Sequence, residues 1–337
     1  MLLVMFKRTV FLRLRRSKAK RLLSKIRGAL GRQAHRIFRS NPKASLPRIE
    51  YLHGYEGARP RVPWPAFPPP QYLNQLEDSF QTSLADDRAF ITQEDCIFYH
   101  TAVLPNGEVI SGPWDLRGRE AEYLGGVRLA GRRILEFGPA TGHLTYFMEK
   151  HGADVVCFEA GWDRSVDLLP SPDVDPSWAQ MDAMRYIGAT QNSWWFLHRE
   201  YQSRTRMVYG DIYRLPADLG QFDVATFGAI LLHLENPFAA LAQAAKRVTS
   251  ELVVTEPLQD EKSDPLLNRI EFAPQDVQYT THWWSLSPGA VVRMLERLGF
   301  GETSVTYHVQ KHHFGHDLTQ PAGDMKMYTV VARRLEA

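Results

Sequence analysis

Short apolar runs alternate with amphipathic stretches along most of the chain, and the alternation sets in at residue 132. The runs are Arg133–Phe137, Asp154–Glu159, Arg206–Tyr209, Phe222–Phe227, Glu251–Thr255, Thr303–His308 and Tyr328–Ala332. Between them, residues 142–151, 177–202, 236–248 and 287–298 carry helical periodicity. Near-continuous apolar runs suit strands buried on both faces, and helices between them make parallel crossovers. The last two runs have no long helical stretch between them, so they are expected to pair antiparallel. The pattern predicts an α/β fold: a seven-stranded, mainly parallel sheet, helices on both faces, and an antiparallel last strand.

Ahead of residue 132 the pattern differs. Residues 71–90 read as helical and polar. Two apolar runs then flank Pro105-Asn106-Gly107, and Asn-Gly between such runs signals a hairpin. Trp114-Asp115-Leu116-Arg117 leads into a further predicted helix. Residues 58–70 contain six prolines and read as an extended linker. The expected organisation is a basic extension over 1–57, the linker over 58–70, a helical and hairpin subdomain over 71–131, and the main domain over 132–337.

Charge changes the reading of the first segment. Residues 1–50 hold 15 Lys or Arg and a single acid, Glu50, while the rest of the chain is net acidic. Phe6, Val10, Leu14, Leu22, Ile26 and Leu30 recur at near-helical spacing among these cations. That suits a helix on an anionic membrane surface, or an RNA footprint, or a solvated extension. A mitochondrial-type presequence shares this composition, whereas Lys7 and Arg8 interrupt the apolar stretch too early for a secretory signal. No run reaches the roughly 20 apolar residues of a membrane span, and the expected location is the cytoplasm, with peripheral membrane contact as its extension. Two cysteines, Cys96 and Cys157, exclude a disulfide framework or a four-cysteine zinc site.

The chemistry gathers in ILEFGPATGHLTYFMEKHGADVVCFEA, residues 134–160. Glu136 ends the first run and Glu159 the second, and Gly138-Pro139-Ala140-Thr141-Gly142 bends into a helix between them. Ligands of open α/β sheets bind at the carboxyl ends of strands. Glycines there permit close backbone approach, and a helix start offers unpaired N–H groups. A dinucleotide fingerprint would need glycines where Ala140 and His143 stand. The spacing that fits is E/D-x-G-x-x-x-G, from Glu136 to Gly142, which resembles motif I of class I S-adenosylmethionine (SAM) methyltransferases, a Rossmann-like family. Gly210-Asp211-Ile212, Phe222-Asp223-Val224, Phe227-Gly228, ELVVTEP and WWSLSPGAVVRMLERLGF continue the resemblance in order over about 200 residues.

The resemblance implies SAM as cofactor. It implies Glu136 at the amino-acid end, Glu159 on the ribose hydroxyls, Asp211 and Ile212 at the adenine, and Gly138, Pro139, Ala140, Gly142, Ala160 and Phe227 around them. His233, just past the fourth strand, is the candidate base or else a structural hydrogen-bonder. Trp114, His143, Trp195 and Trp283 are candidates for the acceptor pocket, with core packing the alternative for the tryptophans. His308, His312, His313 and His316 cluster without a supporting acid pattern, so no metal is expected.

Within the superfamily, the stretch Gly228 to Pro237 is similar to that of the bacterial tRNA wobble-uridine carboxymethyltransferases. It is one residue longer here, and Leu232 stands where that group has the Tyr that helps hold carboxy-SAM. Met327 is nearest to the group's basic residue before the last strand. These departures favour ordinary SAM and a small-molecule or glycan acceptor. The alternatives are a tRNA-modifying transferase using the basic segment on RNA, and a non-catalytic nucleotide-binding protein.

Overall fold

The central strands form where the apolar runs were read, because each can be buried on both faces. The computed structural model describes residues 74–161, 166–171, 174–258, 267–272, 281–313 and 318–335. The basic extension and the proline-rich linker lie outside them, as does His316. Five strands run parallel: β4 (Arg133–Phe137), β5 (Asp154–Ala160), β6 (Arg206–Gly210), β7 (Phe222–Gly228) and β8 (Val248–Pro257). β11 (Glu302–His312) and β12 (Gly323–Arg333) follow, and β12 is antiparallel to both β8 and β11.

An eighth strand joins them. β3 (Trp114–Asp115) pairs antiparallel with β11, so the order is β3-β11-β12-β8-β7-β4-β5-β6. Seven strands were expected; a two-residue strand has no periodicity to read. The hairpin forms as β1 (Ala102–Val103) with β2 (Val109–Ile110), turning at Gly107 with φ +88°. β9 (Ile270–Phe272) and β10 (Trp284–Leu286) make a separate antiparallel pair.

Two apolar clusters lie on the two sheet faces, divided by the period-2 alternation of the strands. Ile134, Val155, Cys157 and Met207 join one; Leu135, Val156, Phe158 and Val208 join the other. The first face packs against α3 (His143–Lys150) and α4 (Pro176–Glu200), through Met148, Trp194 and Leu197. The second packs against α5 (Pro237–Ala245) and α6 (Pro288–Arg297), through Leu241, Ala244, Val291 and Leu295. Three of these helices begin alike. Asp175, Asn236 and Ser287 each accept the backbone N–H of the third helical residue, and a proline follows each cap.

The segment ahead of β4 contributes α1 (Asp78–Asp86) and the four-residue α2 (Glu120–Tyr123). It shares the first core: Leu84, Phe98, Trp114, Leu116 and Tyr123 are buried there with sheet residues. It also covers an edge. Gln75 exchanges two hydrogen bonds with the Tyr209 backbone, and Gln81 does the same with Met207. These amides stand in for a neighbouring strand along β6, whose backbone groups would otherwise be unpaired.

Candidate active site

Strand order reverses between β4 and β7, since the chain builds β5 and β6 on one side of β4 and then β7 and β8 on the other. At that switch point the bend after β4 adopts a left-handed conformation at alternate positions: Gly138 φ +66°, Ala140 φ +50° and Gly142 φ +87°. Ala140 holds a conformation that costs a residue with a Cβ. Gly138 donates its N–H to Phe158 at 3.0 Å, and Gly142 donates to Pro139 at 2.8 Å, which fixes the bend. A Cβ on Gly138 would lie 2.6 Å from Ile230 Cδ1. A Cβ on Gly142 would meet Tyr146 at 2.6 Å and Trp194 at 2.7 Å.

The two expected carboxylates flank this bend. Glu136 is buried; Thr145 Oγ1 and, more weakly, Cys157 Sγ donate to its Oε2. Its Oε1 has no hydrogen bond among the described residues. Glu159 accepts the Ala160 N–H at 2.7 Å and also the Ala140 N–H, so it ties β5 to the bend. Burial raises both carboxyls to about 7 against these hydrogen bonds. Among the described residues, neither forms an ion pair.

A third acid was missed in the sequence. Glu256, near the end of β8, is 1% exposed and accepts the Leu231 N–H at 2.8 Å, with Ile230 and Leu232 N–H groups also directed at it. Burial raises it to about 8. It holds the loop after β7 and thereby places Ile230 over Gly138. The Glu-Pro at the end of the fifth apolar run was the only signal. Asp167 is a second missed group: its carboxylate accepts from Tyr213 Oη and from the Glu235 N–H, and its carbonyl accepts from Trp283 Nε1. It clamps the loops after β6 and β7 to the segment after β5.

The other expected residues divide. Pro139 and Phe227 line a small cavity of about 20 Å³ with Glu136, Gly138, Gly228 and Tyr123. Phe227 also stacks on Phe137 at 4.4 Å, so most of its ring is core. Ala160 ends β5 opposite Gly210, Asp211 turns the chain by accepting the Tyr213 N–H, and Ile212 packs on the second core. His143 lines a larger groove, of about 580 Å³, where its Nε2 lies 3.0 Å from Glu120 Oε1. Burial alone would raise the Glu120 carboxyl, but the hydrogen bond from His143, its own backbone N–H and the imidazole charge hold it below its ordinary value.

The remaining candidates line neither cavity. Trp195 is buried in the first core, with its Nε1 on Tyr209 Oη at 2.8 Å and Arg88 over its ring. Trp114 is buried in β3 and donates to Tyr99 Oη. An indole suits core and pocket equally, and only the fold separates the two. Trp283 bonds the Leu232 carbonyl through its N–H and Asp167 through its ring. His233 donates Nδ1–H to the Thr281 carbonyl. His308 bonds Thr329 and Gln310 within the sheet.

A family model described as a methyltransferase domain matches residues 116–305. The chain belongs to that family. The chain carries a methyltransferase domain. Among curated proteins it is 25% identical over 190 residues to a tRNA U34 carboxymethyltransferase of Psychrobacter cryohalolentis, covering 55% of this chain and 47% of that one. The chain thus spans about half the length of this relative. Among solved structures, it is similar to 1,6-didemethyltoxoflavin-N1-methyltransferase of Burkholderia thailandensis, with bound S-adenosylhomocysteine (14% identity, 65% of this chain, 78% of that chain, TM-score 0.41). It is also similar to the N-terminal domain of EvdMO1 with S-adenosylhomocysteine and D-fucose (15% identity, 78% and 100%, TM-score 0.42).

The residues at the switch point fit SAM. The molecule carries an ammonium, a sulfonium and a vicinal ribose diol. The bend offers one carboxylate with an open oxygen and a second carboxylate one strand away. Acids raised by burial gain most from a cationic ligand. Among the described residues, no helix is long and apolar enough to cross a membrane.

Proposed function

We propose that the methyltransferase transfers a methyl group from ordinary SAM to a small-molecule or glycan acceptor bound in the groove beside α3. The observation that carries this is a shared wall: His100 lines both the small cavity at the bend and the groove. In this reading Glu136 holds the amino-acid end of the donor, Glu159 the ribose and Asp211 with Ile212 the adenine. When bound, SAM supplies a methyl group on a positively charged sulfur, already a strong electrophile, so alignment is the enzyme's main task.

A hydroxyl acceptor must also lose a proton. With Glu120 ionised, His143 Nε2 carries a hydrogen toward it, and Nδ1 keeps a lone pair for the acceptor proton. His143 replaces His233 as the candidate base on this geometry. His100 does not compete for the role. Burial, and then the nearby His143, lower its pKa to about 3, so it stays neutral.

Two buried side chains support ordinary SAM as the donor. Leu232 is 6% exposed and Met327 fully buried, and neither offers a donor to a second carboxylate. Competition calorimetry tests this: carboxy-SAM binding about tenfold more tightly than SAM, a difference of about 1.4 kcal/mol, would overturn it. The acceptor is tested with methyl-labelled SAM supplied alongside separate metabolite, glycan and tRNA fractions. Label in the metabolite or glycan fraction is the expected result. Label in tRNA alone would favour the second reading, which the relative and the basic segment support through phosphate attraction. In either case residues 1–50 serve attachment to an anionic surface, so their removal should leave SAM affinity unchanged.

A further inference from the structure

The groove runs along one face of α3. His143, Tyr146, Phe147 and Lys150 all line it, and their i, i+3, i+4, i+7 spacing puts them on one side of the helix. His143 opens the helix and Lys150 closes it. At the rise of an α-helix the groove therefore extends about 10 Å between them. The end of α4 is tied to the hairpin beside it, since Tyr201 Oη donates to the Val103 carbonyl at 2.9 Å. The volume, about 580 Å³, suits one small molecule.

The end away from His143 is built from donors without acceptors. Glu149 accepts from Ser203 Oγ and from the Arg204 N–H, each at 2.7 Å, which binds the chain after α4 to the end of α3 and sets Arg204 near Lys150. Among the described residues, neither the Lys150 ammonium nor the Arg204 guanidinium has an ion pair or a hydrogen bond. The other charges lining the groove are engaged: Arg117 makes two bonds of 2.7 Å to Asp115, and Glu120 bonds His143. Two open cations against one occupied carboxylate leave this end positive. Lys150 also complements the dipole of α3, but Arg204 has no such role. Gln202 adds strain. It follows α4 at φ +52°, where the Ser203 N–H reaches back to the His198 carbonyl at 2.9 Å, a helix cap that glycine usually fills. A side chain there costs free energy. Its amide lines the groove and makes no hydrogen bond among the described residues.

We propose that Lys150, Gln202 and Arg204 form an oxyanion subsite, so that the acceptor is an anionic small molecule whose phosphoryl or carboxyl group lies about 10 Å from the atom that receives the methyl group. The proposal rests on the reading that the acceptor lies in this groove. An oxyanion accepts from an ammonium, a guanidinium and an amide together, and the charge-assisted bonds are the strong ones. Tyr146 and Phe147 stand between the two ends and suit a ring that joins the nucleophile to the anion. An RNA strand would need a row of open cations along the groove, whereas Arg117 is already paired.

The test has a binding arm and an acceptor arm, both on the full chain. In the first, phenyl phosphate and phenol are titrated by calorimetry into the wild type and into a double variant, Lys150→Ala with Arg204→Ala. Phenyl phosphate should bind the wild type and weaken by at least about tenfold in the variant, as for lost hydrogen bonds between charged groups. Phenol binding and SAM affinity should not change. Gln202→Gly should weaken phenyl phosphate while raising the thermal midpoint, a pairing that a purely structural glutamine would not give. No phenyl phosphate binding to the wild type, or equal binding to the double variant, would overturn the subsite. In the second arm, the metabolite and glycan fractions are divided on an anion-exchange resin before incubation with methyl-labelled SAM. Label is expected in the retained pool, and phosphatase treatment of that pool tells a phosphoryl from a carboxyl acceptor. Label in the flow-through alone would overturn the subsite and leave the groove reading standing, whereas label in tRNA alone would overturn the groove reading itself.

Discussion

The small cavity and the groove are built in opposite ways. The cavity is anchored on one stretch of backbone: Glu136, Gly138 and Pro139 are near neighbours in the chain, at the end of one strand and in a bend of alternating left-handed residues, and Tyr123 and Phe227 close it. The groove draws Thr101, Arg117, His143, Lys150, Tyr201 and Arg204 from separate elements, and side chains define it. A site cut from backbone has one shape that few substitutions leave intact. A site assembled from side chains can be retuned residue by residue while the fold stands. The first suits a cofactor common to a family, and the second an acceptor particular to one enzyme.

The largest expected effect falls on the backbone-built site. Gly138→Val forces a β-branched residue to φ +66° and sets its Cβ against Ile230. SAM binding should be lost to calorimetry while circular dichroism shows a folded chain, and near-normal affinity would break the comparison at its first term. The groove should answer in a different measurable. His143→Ala should lower the rate of methyl transfer by about 100-fold, the usual contribution of a general base, with SAM affinity within about twofold of wild type. A matching loss of SAM affinity would mean that the two sites are one.

Smaller effects sharpen the donor side. Glu159→Ala should weaken SAM by about 1–3 kcal/mol, the range for hydrogen bonds to a charged group, and unchanged affinity would remove the ribose role. The pH dependence has a defined sign. Glu136 and Glu159 have carboxyls raised to about 7, and a cationic donor favours their ionised forms. SAM affinity should therefore rise between pH 6 and pH 8. One group of pKa 7 passes from about one-tenth to about nine-tenths ionised in that interval, so the gain is up to about tenfold per group. Glu136→Gln should flatten the rise. The ligand-free fold should respond in the opposite direction. Its raised carboxyls bind more protons than the unfolded chain, so stability falls as pH climbs from about 4.5 through 7, and up to about 8 for Glu256. Thermal unfolding across that range measures it.

Much of the candidate site at the bend was legible because it is local. Glu136, the glycine bend and Glu159 follow one another within 24 residues, and a buried run ending at an acid before a bend is visible without long-range contacts. The four long helices were read to within a few residues, since their 3.6-residue period and their caps are local too. Trp195 and Trp114 show the opposite case. Their candidacy as pocket walls rested on residue type, and residue type does not say which side of a strand or helix meets the core.

What the sequence determined by itself was the order of strands along the chain, the bend after β4 and the acids at the strand ends, all carried by short-range periodicity and steric preference. The tertiary structure alone decided which distant groups meet. Glu256 holds the Ile230–Leu232 backbone, Asp167 joins three loops, and Glu120 reaches His143. Each of these depends on the packing of separate elements onto the two faces of the sheet. Such contacts span tens to hundreds of residues, and no local preference encodes them.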